Sequence, residues 1–157
     1  VTRRTLLRAV ATAALAVPAV SACTPEPEKP LPPDPLVELA AQARTDAATA
    51  QAIATAVPPL TIPAGEIAKI RAEHATVLQG EADRERPPTT NSSATSAPTS
   101  APVATPGDAT AARALLIDTL TAAEQKATAV VMIVPRYRAG MVGSVAAACA
   151  SLREVMA

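Results

Sequence analysis

The 157-residue chain has no phenylalanine, no tryptophan, one tyrosine, one histidine and two cysteines. With a single imidazole, and with Ser144 and Ser151 outside any nucleophile motif, no Ser-His-Asp constellation can be assembled. A zinc centre of three or four His, Cys or carboxylate ligands is equally short of imidazole and thiol. Fourteen basic residues balance fourteen acidic ones, so the concentrated positive field that binds nucleic acid is missing. The most apolar internal run, Ala127 to Val134, has eight residues. That is too short to span a bilayer and suits a central core segment.

What is present starts with VTRRTLLRAVATAALAVPAVSAC, in which Arg3, Arg4 and Arg8 precede an apolar stretch from Ala9 to Val20 and small residues lead to a cysteine. This is the layout of an export signal over residues 1–22, of either the twin-arginine or the general secretory kind. Val20-Ser21-Ala22-Cys23 has the form of a lipobox, where a diacylglyceryl group is joined to the thiol before cleavage. Acyl chains contribute about 0.8 kcal/mol per buried methylene, so two or more of them hold a protein at a membrane. Removing the leader leaves eleven basic against fourteen acidic residues, a formal charge of −3. With Cys23 carrying lipid, Cys149 has no partner for a disulfide.

Residues 23–34 form a proline-rich tether. The stretch TPEPEKPLPPDP, residues 24–35, holds six prolines and three acidic groups, which favours an extended, solvated spacer of about 3.1 Å per residue. A second low-complexity segment, 87–107, is made of Ser, Thr, Ala and Pro around one branched apolar residue, Val103, and reads as a disordered insert. Its Thr/Pro content also suits O-glycosylation.

Between these lie four amphipathic segments. Asp34 and Pro35 provide an N-cap and a first-turn proline for a helix to Val57, stopped by Pro58-Pro59. A second helix starts near Thr61 to Pro63 with Ile67, Ile70, His74, Val77 and Leu78 as its inward stripe, and frays through Glu81 to Arg86. Asp108 or Thr110 caps a third helix reaching Val134, with Leu115 or Leu116, Leu120, Ala123, Ala127, Val130 or Val131, and Val134 inward. Pro135 interrupts it, and Arg136-Tyr137-Arg138 opens a fourth that faces Met141 or Val142, Val145, Ala148 or Cys149, Leu152, and Val155 or Met156 inward. The expected fold is an all-α four-helix bundle over residues 35–157, its up-down helices in two hairpins joined by either a short link or a long crossover. An aliphatic, Ala-rich core implies close helix packing, and a protein partner or a second copy would add stability.

The segments DPLVELAAQARTDAATAQAIA, PAGEIAKIRAEHATVLQGEADR and LLIDTLTAAEQKATAVVMIVPRYRAGMVGSVAAACASLREVMA resemble the ferritin-like domains of unknown function found in actinobacterial, mycobacterial-type lipoproteins. The resemblance covers most of residues 34–157 and rests on helix pattern, on Arg71-Ala72-Glu73-His74 and on the Pro135 to Gly140 turn. It implies a ferritin-like bundle. Ferritin-like di-metal sites take a Glu from each of two helices and a Glu-x-x-His from each of the other two. This chain has no Glu-x-x-His, because Arg71 stands three residues before His74. No metal site and no cofactor are therefore expected.

Asp46 and Glu124 flank inward stripes, either as solvated residues or as members of a small polar core with Glu73 and His74, for which Arg71, His74 or Tyr137 would supply a donor. Cys149 reads as a small core hydrophobe. Arg136, Tyr137 and Arg138 either pack at the bundle's end or bind a partner through its surface. The combined expectation is a non-enzymatic envelope lipoprotein on the outer face of the cell membrane, anchored through Cys23, acting as an accessory or interaction module and binding no nucleic acid. The alternative is a ferritin-like metal-binding or oxidoreductase protein with an atypical site from Glu66, Glu73, His74 and Glu124.

Overall fold

A computed structural model describes residues 32–87 and 106–156. The residues read as an export signal, Cys23 and most of the Ser/Thr/Pro insert lie outside the described residues. Four helices follow one another: α1 Pro35–Ala56, α2 Thr61–Glu85, α3 Ala109–Val131 and α4 Arg136–Met156, with a 3-10 turn Pro58–Leu60 between the first two. No strand occurs among the described residues.

The starts of α1 and α3 are set by side-chain caps. Asp34 accepts from the Leu36 amide at 2.9 Å and is followed by Pro35 at the first position of α1. Asp108 accepts from the Ala111 amide at 2.8 Å and starts α3 in the same way. Each cap satisfies an amide that the helix itself leaves unpaired, worth about 1 kcal/mol. Pro58 and Pro59 then turn the chain sharply, and the Thr61 hydroxyl donates to the Ala54 carbonyl at 3.0 Å, tying the start of α2 to the end of α1.

Helices α1 and α2 form the most extensive pair and α3 and α4 the next; α1 also packs on α3, while α2 and α4 approach each other least closely. The tight pairing of α1 with α2 follows from composition. Ala40, Ala43, Ala50 and Ala54 on α1, with Ala64, Ala68, Ala75 and Ala82 on α2, are all buried. Leu36, Ile53, Leu60, Leu78, Leu116, Leu120, Val142 and Met156 fill the remaining centre.

Contacts at the helix ends define the topology. Tyr137, at the start of α4, bonds Glu85 at the end of α2, and Arg138 pairs with Asp34 ahead of α1. Arg113, near the start of α3, donates to the Met156 carbonyl at the end of α4. The connection from Arg86 to Asp108 therefore joins opposite ends of the bundle, and the order is up-down-down-up. Of the two links the sequence allowed, the long crossover is the one found. It leaves α2 and α3 parallel and diagonal, while every packed pair is antiparallel.

Two expected inward faces are corrected. On α2 the buried stripe runs Ala64, Ile67, Ala68, Arg71, Ala75, Leu78 and Ala82, whereas Val77 is 53 % exposed and Ile70 half-buried. The helix is turned so that small residues meet α1, because closer backbone approach gains more contact than burying two branched side chains at a wider spacing. The run Ala127 to Val134 is a core segment only in part: Ala127 is buried and Val130, Val131 and Val134 pack against the core, but α3 stops at Val131, and Met132 and Ile133 lie in the turn before Pro135, largely exposed.

Close alanine packing sets a test. Ala50→Leu or Ala64→Leu places three extra carbons in a filled interior and should cost about 1–3 kcal/mol in urea unfolding. Ala48→Leu, on the exposed face of α1, should stay within about 0.5 kcal/mol of the parent protein.

Candidate functional site

The largest side chain wholly buried in the bundle is that of Arg71, 2 % exposed, on the inner face of α2. Its Nη2 donates to Asp46 Oδ2 on α1 at 2.6 Å. Its Nη1 lies 3.1 Å from His74 Nδ1, one turn on, and 3.4 Å from Cys149 Sγ on α4. One guanidinium thus touches groups from three of the four helices.

The charges follow from the guanidinium, which stays protonated throughout the accessible pH range. A permanently protonated Nη1 can only donate, so His74 Nδ1 accepts and its ring proton sits on Nε2. Burial, reinforced by the Arg71 charge and opposed by Glu73, holds the pKa of His74 below its ordinary 6.5. Burial raises the Asp46 carboxyl above its usual range, and Arg71 pulls it back by charge and hydrogen bond. Burial likewise pushes the Cys149 thiol up, with Arg71 opposing. The thiol is therefore a protonated core group, as its reading as a small hydrophobe anticipates, and its basic neighbour arrives from another helix.

The four residues expected to share a polar core are only partly brought together. Asp46 and His74 meet at Arg71. Glu73 is exposed, since adjacent residues point about 100° apart on a helix. Glu124 is half-buried and pairs with Arg153 at 2.6 Å, linking α3 to α4. Arg71 is the member that sequence reasoning named only as a possible donor. Its signal was present in the register, four residues after Ile67 and four before Ala75.

A second charged cluster closes the end where α1 and α4 begin. Arg138 is buried, and its Nη2 makes a 2.9 Å ionic contact with Asp34 rather than an aligned hydrogen bond, with Glu81 at 3.7 Å from its Nε. Of the two readings of Arg136, Tyr137 and Arg138, packing at the bundle's end holds for Arg138, which is buried, while Arg136 and Tyr137 face outward. Tyr137 donates to Glu85, a bond that raises the pKa of the phenol above its ordinary value.

The residues named for an atypical metal site do not fit one. Glu66 and Glu73 are exposed, Glu124 is paired with Arg153, and His74 directs a lone pair at a guanidinium. Among the described residues no three His, Cys, Asp or Glu side chains gather closely enough to hold a metal ion. No described helix is long and apolar enough to cross a membrane. The chain is thus a four-helix bundle with a closed, charged centre. No family model, curated protein or solved structure matches it.

Two outcomes test the centre. Arg71→Met or Asp46→Leu alone leaves one buried charge unpaired and should cost about 3–5 kcal/mol, whereas the double variant should recover most of that loss. A double-mutant cycle in urea measures it, and additive losses would contradict the pairing. The second concerns pH. With the folded pKa of His74 depressed below 6.5, the unfolded chain binds the proton more readily, so the His74 contribution is complete above pH 6.5 and is lost as pH falls through the depressed value. Asp46, raised from 3.8, acts in the opposite sense as pH falls through its own range. Stability measured from pH 7.5 downward should therefore decline less steeply in His74→Gln than in the parent, and equal slopes would count against the buried neutral imidazole.

Proposed function

We propose that this chain is a lipid-anchored envelope protein in which a ferritin-like bundle, no longer holding metal, acts as a non-enzymatic accessory or interaction module. The observation that carries the anchor is Val20-Ser21-Ala22-Cys23 at the close of an arginine-led apolar segment. The position of the first helix cap agrees with it: Asp34 starts α1 directly at the close of the proline-rich stretch, so in sequence the lipobox precedes the first helix by a tether-like segment. The ferritin-like scaffold is supported by the crossover between α2 and α3, since that fold joins its two helix pairs by one long connection.

The metal-free reading rests on Arg71. In di-metal carboxylate bundles, cations sit among inward carboxylates from facing helices. Here a guanidinium, itself a fixed cation, neutralises the inward Asp46 and takes the lone pair of His74. A second cation there would face uncompensated repulsion. That weighs against the metal-binding or oxidoreductase alternative. Elemental analysis of protein refolded with iron, manganese or zinc should give well below one metal per chain; stoichiometric metal lost in Glu73→Gln and His74→Gln would restore the alternative.

Interaction is supported by the end of the bundle where α4 finishes. Ile62 and Val155 are exposed there, beside an almost wholly apolar groove of about 230 Å³ formed with Pro63, Ile67, Leu152 and Met156.

The anchor is tested by mass spectrometry of protein from a host that processes such signals. Cys23 should be the mature amino terminus and carry a diacylglyceryl adduct. Cys23→Ser should lose the adduct while the far-UV circular dichroism keeps its helical amplitude. An unmodified Cys23 in the parent would remove the anchor.

A further inference from the structure

We propose that the end of the bundle from which the tether leaves is itself a membrane-contact face, with Met132, Ile133 and Tyr137 seated in the lipid interface. This deepens the anchored reading and rests on it. Met132 is 82 %, Ile133 72 % and Tyr137 65 % exposed; the first two lie in the short stretch that links α3 to α4, and Tyr137 is in the first turn of α4. Ile133, Val134, Pro135 and Tyr137 line one cleft of about 250 Å³ whose other wall is Asp34 and Pro35, the residues through which the proline-rich segment enters α1, with the charged Glu85, Arg86 and Arg138 completing it. The apolar side chains and the root of the tether therefore occupy the same spot.

Chain length identifies the occupant. Eleven residues separate Cys23 from Pro35, and at about 3.1 Å each they reach roughly 35 Å. That sets the scale of the distance between tether root and lipid. The helices are themselves roughly 32–37 Å long, so the far end, with Ile62 and Val155, meets the bilayer only if the tether runs the full length of the bundle. The near end meets it at almost any tether extension. Two or three exposed apolar groups bind a bilayer with a dissociation constant on the order of millimolar, too weak to recruit a free protein. A short tether supplies an effective concentration of about the same size, so the contact forms once the anchor is in place.

Charge at this end is matched internally in part: Arg138 pairs with Asp34 and Glu81 and Arg84 with Glu81, while Glu85 accepts from the neutral phenol of Tyr137 and Arg136 faces outward. The contact is consequently interfacial, with the charged groups and the amphipathic phenol at headgroup depth, where such rings are favoured, and Met132 and Ile133 reaching past them.

Tyr137 is the only tyrosine, and the chain has no tryptophan, so its emission reports this face alone. Acylated full chain is reconstituted into phosphatidylcholine vesicles containing nitroxide-labelled lipid, and vesicle flotation is scored alongside tyrosine fluorescence. Because interfacial insertion reaches about 5–10 Å into the headgroup boundary, roughly half of the emission should be quenched. Met132→Asp/Ile133→Asp, at two exposed positions, should float equally, keep its circular dichroism and lose most of the quenching. Protein that floats but is not quenched, or a double variant quenched as strongly as the parent, overturns the contact face while leaving the anchor intact. Shielding of Tyr137 from aqueous iodide that grows with the protein-to-lipid ratio would assign the face to a second copy and overturn it as well. Parent protein that fails to float removes the anchor and this inference with it.

Discussion

A guanidinium cannot be neutralised by moving its proton, so once Arg71 is placed inside the bundle the groups around it have to adapt. Asp46 supplies the compensating charge, His74 keeps its ring neutral and offers a lone pair, and the Cys149 thiol remains protonated. Such a pair adds little to net stability over an apolar replacement of similar shape, because desolvation of both ions offsets their attraction. What it constrains is register. Rotating α2 by one residue would turn the guanidinium about 100° away from Asp46 and leave both charges uncompensated in a low-dielectric interior. The gap between α2 and α4 is wide enough for the longest buried side chain, and α1 and α2 are close enough for alanine to meet alanine. Both spacings follow from the same rotation.

That rotation is also where the sequence is hardest to read. Helix starts are plain from Asp34-Pro35 and Asp108, and the first turn from Pro58-Pro59, because caps and prolines act through local backbone chemistry. Hydropathy alone favours Ile70 and Val77 over alanine as the inward residues of α2. Alanine contributes little transfer free energy of its own, and its value lies in the close approach it allows, which exists only once the partner helix is in place. An arginine among alanines therefore reads as a solvated position, although Ile67, Arg71, Ala75, Leu78 and Ala82 have regular helical spacing. Asp46 carried half of the signal and Arg71 the other half, twenty-five residues apart.

The α3–α4 turn shows the converse failure. An eight-residue run with Thr128 as its one polar member suggests a centre, yet α3 ends before Pro135 and leaves Met132 and Ile133 exposed in the turn. Beside them, Arg136, Tyr137 and Arg138 look alike in sequence and part company in space. Arg138 falls on the inner face one turn ahead of Met141 and Val142 and is captured by Asp34, which both caps α1 and pairs across to α4. No one-dimensional pattern contains that contact, since it depends on α1 and α4 starting at the same end.

They do so because the second hairpin is inverted relative to the first. In a simple up-down succession α2 and α3 would be antiparallel neighbours; the crossover makes them diagonal and lets α1 pack on both α2 and α3. All four packed pairs are then antiparallel, which aligns each helix dipole against its neighbours' and relieves the interior of a net axial field. The same inversion separates the two ends by content. One gathers the tether root, the Asp34–Arg138–Glu81 cluster and the exposed Met132-Ile133 turn, while the other gathers Ile62, Val155 and the apolar groove between α2 and α4. Every described ionisable group with a strongly altered environment is either tied to Arg71 or, in Tyr137, bonded at the tether end. Those two unlike ends are held about one helix length apart by a core whose register is fixed by Arg71.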